Sequence, residues 1–580
     1  MRIRIGALFI VSLYLTTYVA SQEAGPTVDT SFGPVEGVYL NSDGAQAFYG
    51  VPFAAPAVGD LRWKAPQDPV PWAPEVRLAT ENPPGCPQIC EGVNPPIDCP
   101  AKTSEDCLYM NIFTPLEASP ASRLPVLVFL HGGSYYVNSA ASPLFDGRYL
   151  AAMTSSVVVV PNYRLGALGF LVLNANHTSD DNYLGYGFQD QRHALKFVQT
   201  NIENFGGDPG KVTLSGQSVG GECVALHLTL DQSAELFHQA IIQSPPLTLP
   251  KASLDKAHTL ARLVAEYLNC ENGDIECLRS KSADEIVSAQ TYAAEQIFQF
   301  LDNLFLYFQP WGPVLDRNEL SVLDRLATGD FQKKPVVLGG VSEEGRWSAF
   351  SFLPTETPKI ATLPLYLLLF GVKNTLKVYW KYPINENPDV RDTISYILGD
   401  YIWTCSTRKA TRDIESHETI PIYHYVFDHA INDSAVWDFV EDWCQDYACH
   451  NADLFFLFYT LPLEGFSYTD EEKELAKSLI RFWSNFIHTG NPNTEDWRNH
   501  ISPVFQSSQT SSIVKHLETP TKKLSFKDIL HRAKRGVHDW PPYQASTEWP
   551  SMWFKTPTND ILHRYRAKYC NMWDRVGYNT

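Results

Sequence analysis

The 580-residue sequence has no long hydrophobic run and relatively little positive charge. Its most apolar stretches, residues 5–20 and 363–372, are shorter than the roughly 20 residues that a membrane-spanning helix needs. There are 46 lysine and arginine residues against 65 aspartate and glutamate residues, which gives a formal net charge of −19. The phosphates of a nucleic acid would repel so acidic a chain. We therefore expect neither a nucleic-acid partner nor a membrane anchor.

The amino terminus has the pattern of a cleaved export signal. Two arginines precede the first apolar run, and Val19 and Ser21 are small at the two positions that signal peptidase inspects. We expect residues 1–21 to form a signal peptide, with an uncleaved signal anchor as the alternative. Residues 22–580 should then be secreted and extracellular.

Secretion has two chemical consequences for this sequence. Most of the eleven cysteines should form disulfides in an oxidising compartment, and at least one must stay unpaired. Asn176 and Asn432 begin Asn-x-Ser/Thr motifs, so we expect them to accept N-linked glycans.

Short runs of β-branched and aliphatic residues predict the buried strands of a parallel sheet. Such strands are apolar on both faces because helices cover both sides of the sheet. Between the second and third runs, apolar residues at helical spacing predict a helix that ends near Gly206. This order indicates an α/β fold with a doubly wound, mostly parallel central sheet flanked by helices. The runs are residues 126–130, 157–160, 212–214, 336–338 and 422–426.

In such a sheet the ligand site lies beyond the carboxyl ends of the strands. Three of the loops at that edge have unusual sequences, so we expect them to meet around one site. They are His131-Gly132-Gly133-Ser134 after the first run, Gly216-Gln217-Ser218-Val219-Gly220 after the third, and Gly339-Gly340-Val341-Ser342-Glu343-Glu344-Gly345 after the fourth.

The loop around Ser218 matches a nucleophile elbow. A serine hydroxyl is a poor nucleophile at neutral pH, so it needs a base within hydrogen-bond reach and donors for the oxyanion that it creates. Gly216 and Gly220 permit the sharp strand-to-helix turn that lifts the serine into a pocket. The amides of Gly133 and Val219 are candidate oxyanion donors, although a Gly-Gly pair alone more often marks a tight turn.

Longer motifs make the chain resemble the type-B carboxylesterases, the family that also contains cholinesterases and neuroligins. The resemblance covers nearly the whole mature chain. It implies an α/β-hydrolase fold and serine-dependent ester hydrolysis that needs no cofactor and no metal. The motifs that carry it include Ala47-Phe48-Tyr49-Gly50-Val51-Pro52-Phe53-Ala54, Ser104-Glu105-Asp106-Cys107-Leu108-Tyr109, Asn162-Tyr163-Arg164-Leu165-Gly166 and Phe205-Gly206-Gly207-Asp208-Pro209.

By this resemblance the catalytic triad is Ser218, Glu344 and His450. Glu344 stands before a glycine, as the family's acid does, and the neighbouring Glu343 is expected to be solvated. His450 begins the family's His-x-x-Asp-Leu pattern, which aromatic residues follow. The order serine, glutamate, histidine agrees with an α/β-hydrolase.

The resemblance also implies an oxyanion hole formed by the amides of Gly133, Ser134 and Val219. Here the sequence departs from the family, because Ser134 replaces a glycine or alanine and Val219 replaces an alanine. Both changes add bulk where the substrate carbonyl should lie. Gln217 replaces the glutamate of cholinesterases.

Two interpretations of the function remain open at this point. The complete triad predicts a secreted carboxylic-ester hydrolase that acts on a small or lipid-like ester through an acyl-enzyme. The altered oxyanion region favours a catalytically weak, cholinesterase-like binding or adhesion protein. The sequence indicates no oligomeric state.

The cysteines follow the family in part. A buried, inert thiol is the expected state of Cys223, the one left over. The resemblance implies disulfides between Cys86 and Cys107, Cys270 and Cys277, and Cys405 and Cys570, while Cys90 with Cys99 and Cys444 with Cys449 could close two further small loops.

The region from about residue 494 to residue 538 is polar and poorly periodic, which predicts an exposed insertion within the single hydrolase domain. Its Arg532-Ala533-Lys534-Arg535 sequence resembles a convertase cleavage site. A solvated basic loop is the alternative interpretation.

Overall fold

A computed structural model describes residues 24–90, 99–173, 184–300, 304–314, 321–384, 389–417, 421–437, 442–493 and 539–578. The expected signal peptide, the glycosylation motif at Asn176 and the insertion with its basic Arg535 sequence lie outside these ranges. The predictions of signal cleavage, of a glycan at Asn176 and of an exposed insertion are therefore untested.

Fourteen strands form two sheets in the described residues. Their bounds are β1 Thr27–Thr30, β2 Gly33–Glu36, β3 Val38–Leu40, β4 Ala45–Pro52, β5 Arg77–Leu78, β6 Tyr109–Pro115, β7 Leu124–Leu130, β8 Val157–Pro161, β9 Gly207–Gln217, β10 Gln239–Gln243, β11 Val336–Val341, β12 Ile422–Phe427, β13 Pro550–Phe554 and β14 Asp560–His563.

The central sheet has the strand order β14-β13-β12-β11-β10-β9-β7-β8-β6-β4-β3, and a small sheet has the order β1-β2-β5. From β8 to β13 every neighbouring pair of strands is parallel, and antiparallel strands complete both edges. The five predicted runs fall within β7, β8, β9, β11 and β12. The prediction of a mostly parallel sheet is therefore confirmed.

Fifteen α-helices of the described residues connect and cover the strands. Their bounds are α1 Arg148–Thr154, α2 Gly166–Phe170, α3 Tyr186–Asn201, α4 Val219–Leu228, α5 Leu254–Tyr267, α6 Ile275–Arg279, α7 Ala283–Gln296, α8 Val322–Thr328, α9 Arg346–Phe352, α10 Thr362–Lys381, α11 Arg391–Leu398, α12 Cys405–His417, α13 Ala452–Phe458, α14 Asp470–Thr489 and α15 Ala567–Val576.

The central sheet is buried on both faces. Along β7, Val126 and Val128 pack into one large hydrophobic cluster, whereas Leu127 and Phe129 pack into a second cluster. Successive side chains of a strand point to opposite faces, so each face of the sheet has its own core. This explains why the strands are continuous apolar runs rather than alternating ones.

The segment between β8 and β9 follows the sequence prediction closely. Helix α3 continues as a 3-10 turn over Ile202–Phe205, and Gly206 ends it in the left-handed region with φ 89°. A residue with a Cβ would be strained at this φ. Strand β9 begins directly afterwards at Gly207.

Five disulfides are present, and they join the same cysteines that the sequence analysis paired. The bonds are Cys86–Cys107, Cys90–Cys99, Cys270–Cys277, Cys405–Cys570 and Cys444–Cys449, and Cys223 is the buried free thiol. Among the described residues, no helix has the combination of length and hydropathy that crossing a bilayer requires.

A buried ion pair fixes the loop that leaves β8. The Arg164 guanidinium donates to both carboxylate oxygens of Asp190 on α3, at 2.8 and 2.7 Å, and the Arg164 amide donates to the same carboxylate at 3.0 Å. Both side chains are almost fully buried. Removing one partner would leave the other charge uncompensated in the interior.

We expect Asp190→Ala to lower the free energy of unfolding by about 3–5 kcal/mol because it strands the buried guanidinium. The matched control is Asp330→Ala, which removes the partner of Arg325 in an ion pair of 2.8 Å that is largely exposed and should cost less than about 1 kcal/mol. Urea unfolding of both variants measures the difference. Equal losses would contradict this account of the pair.

Candidate active site

The candidate nucleophile Ser218 sits on a strained turn between β9 and α4. Its backbone has φ 57° and ψ −128°, a conformation that few non-glycine residues adopt. Helix α4 packs against β7 so closely that a Cβ on Gly220 would lie 2.1 Å from the carbonyl oxygen of Leu130. Only glycine allows this approach, which turns the chain sharply at the serine.

The loop after β7 lies directly against the elbow. A Cβ on Gly132 would lie 2.9 Å from the Cβ of Ser218, so glycine is required here as well. Gly133 and Ser134 both have positive φ, 101° and 53°, and both line the same cavity as Ser218. The structure therefore brings the first two predicted loops together.

Val219 behaves differently from the sequence expectation. Its side chain is buried in the main hydrophobic core and is not among the residues that line the cavity. The expectation that its bulk crowds the cavity is wrong, because the first turn of α4 directs the side chain into the core. Ser134 does line the cavity.

The third predicted loop brings Glu344 to His450. Glu344 Oε2 lies 2.5 Å from His450 Nδ1, and its other carboxylate oxygen accepts a hydrogen bond of 2.9 Å from the amide of Val341, the last residue of β11. Glu344 is buried, and His450 retains some exposure toward the cavity. The indole of Trp403 lies 5.4 Å from the imidazole, between ring centroids. Together these contacts fix the orientation of the imidazole.

Gln217 contacts the other nitrogen of the same imidazole. Its side-chain Nε2 lies 3.1 Å from His450 Nε2. With the Nδ1 proton directed to Glu344, His450 Nε2 has a free lone pair and accepts this hydrogen bond from the amide. The replacement at Gln217 is visible in the sequence, but this contact is not, because residue spacing says nothing about a side-chain rotamer.

A second carboxylate lies beneath the pair of Glu344 and His450. Asp453 is fully buried, and its Oδ2 accepts hydrogen bonds from Tyr425 at 2.7 Å and from Gln243 at 3.1 Å. Burial, and to a lesser extent the charge of Glu344, raise the pKa of Asp453 to about 6. The site therefore includes a second carboxyl group, whose protonation is favoured by its burial.

The cavity in front of Ser218 has a volume of about 450 Å³, which is typical of a site for a small organic ligand. Seven of the described residues that line it are aromatic. Among the described lining residues, Glu295 is the acidic one and His450 the basic one. The aromatic lining residues are Tyr136, Tyr307, Phe308, Trp347, Trp403, Trp437 and Phe455.

Other reactive groups near the elbow are buried. His131 is stacked on Tyr163 with ring centroids 4.4 Å apart, and burial lowers its pKa to about 4. Burial raises the pKa of the Cys223 thiol to about 12, which agrees with the expected inert thiol. Within the described ranges, no three His, Cys, Asp or Glu side chains are grouped to hold a metal ion.

Glu343 is not the solvated neighbour that the sequence predicted. One of its carboxylate oxygens is buried without a hydrogen-bond partner, and burial raises the pKa of Glu343 to about 7. The peptide groups around it explain this position, since the Glu343 amide donates to the carbonyl of Ala448 at 3.2 Å. This bond ties the acid loop to the segment that carries His450.

We expect Glu343→Gln to stabilise the protein at pH 8 by about 1–3 kcal/mol and to change little at pH 5. Between pH 4.5 and 7 the folded protein keeps a proton on Glu343, whereas the unfolded chain has released it. Raising the pH therefore destabilises the wild-type protein. The glutamine variant does not lose this stability, because its amide does not ionise. Unfolding at several pH values measures this difference. The control is the exposed Glu356→Gln, and a pH-independent effect at residue 343 would contradict the assignment.

Comparisons with known proteins place the chain in a family. The model of the carboxylesterase family matches residues 24–573. The cAMP-regulated D2 protein of Dictyostelium discoideum is 34% identical over 88% of this chain and 92% of its own length. Pyrethroid hydrolase Ces2e of Rattus norvegicus is 32% identical over 83% of this chain and 85% of its own length.

The fold is also shared with solved esterases. A thermophilic PNB esterase superposes with a TM-score of 0.73 and 27% sequence identity, over 94% of this chain and 99% of that one. The central sheet of this chain is thus that of an α/β-hydrolase. The protein belongs to the carboxylesterase family and is a carboxylic ester hydrolase.

Proposed function

We propose that the protein hydrolyses neutral, apolar carboxylic esters through an acyl-enzyme, with Ser218 as nucleophile, His450 as general base and Glu344 as the group that orients the base. The contact of 2.5 Å between Glu344 and His450 beside the serine elbow is the observation that carries this proposal. In the acylation step His450 Nε2 takes the proton of Ser218 while the serine oxygen attacks the ester carbonyl. The tetrahedral intermediate then breaks its bond to the alkoxy oxygen, and His450 gives the proton to the departing alcohol. Water attacks the acyl-enzyme by the same route, which releases the carboxylic acid and frees Ser218.

The amides of Gly133, Ser134 and Val219 are the proposed donors to the oxyanion. In the part of the chain that the structure describes, no backbone or side-chain acceptor takes a hydrogen bond from these three amides. Gly133, Ser134 and Ser218 line one cavity, and Val219 is the first residue of α4, where the helix amide is unpaired. Such preorganised donors stabilise the tetrahedral intermediate.

The cavity supports a substrate that carries little charge. Seven of its described lining residues are aromatic, and its volume of about 450 Å³ suits an ester with one moderately large apolar group. We place the protein outside the cell, because ten of its eleven cysteines are paired in disulfides. Asn432 is exposed and is the proposed glycan acceptor within the described residues.

One observation favours the second candidate function, a binding protein with weak turnover. In this structure the hydrogen bond to His450 Nε2 comes from Gln217, so the serine hydroxyl must displace an amide before it can transfer its proton. Such a competing hydrogen bond slows the proton transfer from the serine unless it breaks before that step. Covalent labelling of the serine separates the two candidates.

We expect a fluorophosphonate probe to label the protein and Ser218→Ala to abolish both the labelling and the burst of nitrophenol from nitrophenyl esters. The turnover rate should fall by about 10³-fold or more. Ser288→Ala, which removes an exposed helix serine, should retain both signals. If the wild-type protein shows neither labelling nor a burst, the binding-protein interpretation replaces the esterase one.

We expect Gln217→Glu to shift the acidic limb of the pH profile of kcat/KM to higher pH, by about one unit. A carboxylate next to His450 Nε2 would favour the protonated ring, which cannot accept the serine proton. Gln217→Met removes the amide without adding charge and should leave the limb near its original position. An unchanged limb in Gln217→Glu would show that residue 217 does not contact the base.

A further inference from the structure

Helix α10 exposes apolar side chains on both sides of a kink at Gly371, where φ is 65° and ψ is 171°. Eight of the seventeen large hydrophobic side chains that are exposed within the described residues lie in residues 360–380, and three of them, Ile360, Val372 and Trp380, are 86%, 81% and 80% exposed. Scattered single residues of this kind need no explanation, whereas a contiguous patch marks an interaction site. We call this surface the α10 face; it consists of Ile360, Leu363, Leu367, Leu368, Val372, Leu376, Tyr379 and Trp380.

The opposite side of α10 is firmly packed. Phe370 is buried, with its ring centroid 5.7 Å from that of Phe305 and 5.0 Å from that of Trp573. Phe305 in turn packs at 6.2 Å against Phe308, which lines the cavity. The exposed side chains are therefore held outward by aromatic packing on the inner side of α10.

Positive charge surrounds the α10 face. Residues 357–384 contain four lysines and no acidic residue, in a chain whose formal net charge is −19. The ammonium groups of Lys381 and of Lys568 on α15 lie 5.6 and 5.5 Å from the centroid of the same ring, that of Tyr569. Burial, and then the charges of Lys568 and Arg575, lower the pKa of Lys381. Within the described residues, none of the six basic side chains Lys359, Lys373, Lys377, Lys381, Lys568 and Arg575 forms an ion pair.

We propose that the α10 face docks on an anionic lipid surface. Aliphatic side chains flanked by lysines, with Trp380 and Tyr379 at one end, form the pattern by which a helix lies in a membrane interface. The lysine stems can follow the apolar surface while their ammonium groups reach the anionic headgroups. No helix has to cross the bilayer for this mode of binding.

A second copy of the chain fits the α10 face less well. A symmetric dimer built on this face would place the same patch of each copy against the other. The clustered cations would then meet like charges, which disfavours association. An anionic lipid surface supplies the opposite charge, so the charge pattern favours a lipid surface over a second copy of the chain. Docking is independent of the proposed triad and can be measured with Ser218→Ala.

The test is co-sedimentation of the full chain, carrying Ser218→Ala, with vesicles of phosphatidylcholine containing 30% phosphatidylserine, and with vesicles of phosphatidylcholine alone. We expect binding to the anionic vesicles that weakens with added salt. Lys373→Gln combined with Lys377→Gln should lower the partition coefficient about 30-fold. Lys64→Gln with Lys211→Gln, two exposed lysines elsewhere, should leave it unchanged.

The apolar contribution has its own pair of variants. Val372→Ser with Trp380→Ser should lower binding by about tenfold or more, whereas Val70→Ser with Leu78→Ser, exposed elsewhere at 77% and 71%, should not. These positions are all exposed, so the variants should fold. The proposal is overturned if the protein does not bind the anionic vesicles, or if neither pair of α10 substitutions changes its binding. A dimer in sedimentation equilibrium that dissociates in Val372→Ser with Trp380→Ser also overturns it.

Discussion

The site depends on the close contact between the start of α4 and the ends of β7 and β9. The carbonyl oxygen of Leu130 leaves no room for a side chain at Gly220, and Ser218 leaves none at Gly132. Because these two glycines let three backbone segments touch, the chain must turn within one residue, which forces Ser218 into its strained φ of 57°. The serine side chain, the oxyanion loop and the first amides of α4 are thereby directed to one cavity.

Parallel strands supply the remaining geometry. The ends of β7, β9, β10 and β11 are in register, since Leu130 pairs with Gly216, Gln217 with Gln243, and Gln243 with Gly339. The loop after β11 therefore delivers Glu344 to the same edge as the elbow. The segment that carries His450 is tied to that loop by the hydrogen bond from the Glu343 amide to the Ala448 carbonyl. Within that segment, the Cys444–Cys449 disulfide closes a small loop just before the histidine.

The sequence predicts this framework because the framework depends on local patterns. Apolar runs predicted five of the seven parallel strands, while β10 and β13 were missed because Gln239 and Gln243 bound one of them and Pro550 and Ser551 begin the other. Motif resemblance, rather than spacing, pointed to Glu344 and His450. The contact of Gln217 with His450 joins residues 233 positions apart, and no local pattern encodes it.

The same limit explains Glu343 and the α10 face. Two adjacent glutamates look alike in a sequence, and only the packed loop distinguishes the one that is buried without a partner from the one that contacts the imidazole. An apolar run is normally interpreted as core, because burial is where such a run gains free energy. In α10 that interpretation holds for Phe370 and fails for Val372, since the fold provides a partner for only one side of the helix.

The two sides of α10 connect the surface of the molecule to its cavity by direct packing. Phe370 on the inner side packs against Phe305, and Phe305 packs against Phe308 in the cavity wall, so the inner side of α10 and the wall share one aromatic cluster. A neutral ester that suits an aromatic cavity is poorly soluble in water and concentrates in lipid. An acidic protein is repelled by an anionic membrane everywhere except where its surface is basic. If both proposals hold, the local excess of lysine on α10 is the feature that reconciles a chain of charge −19 with an apolar substrate held at an anionic surface.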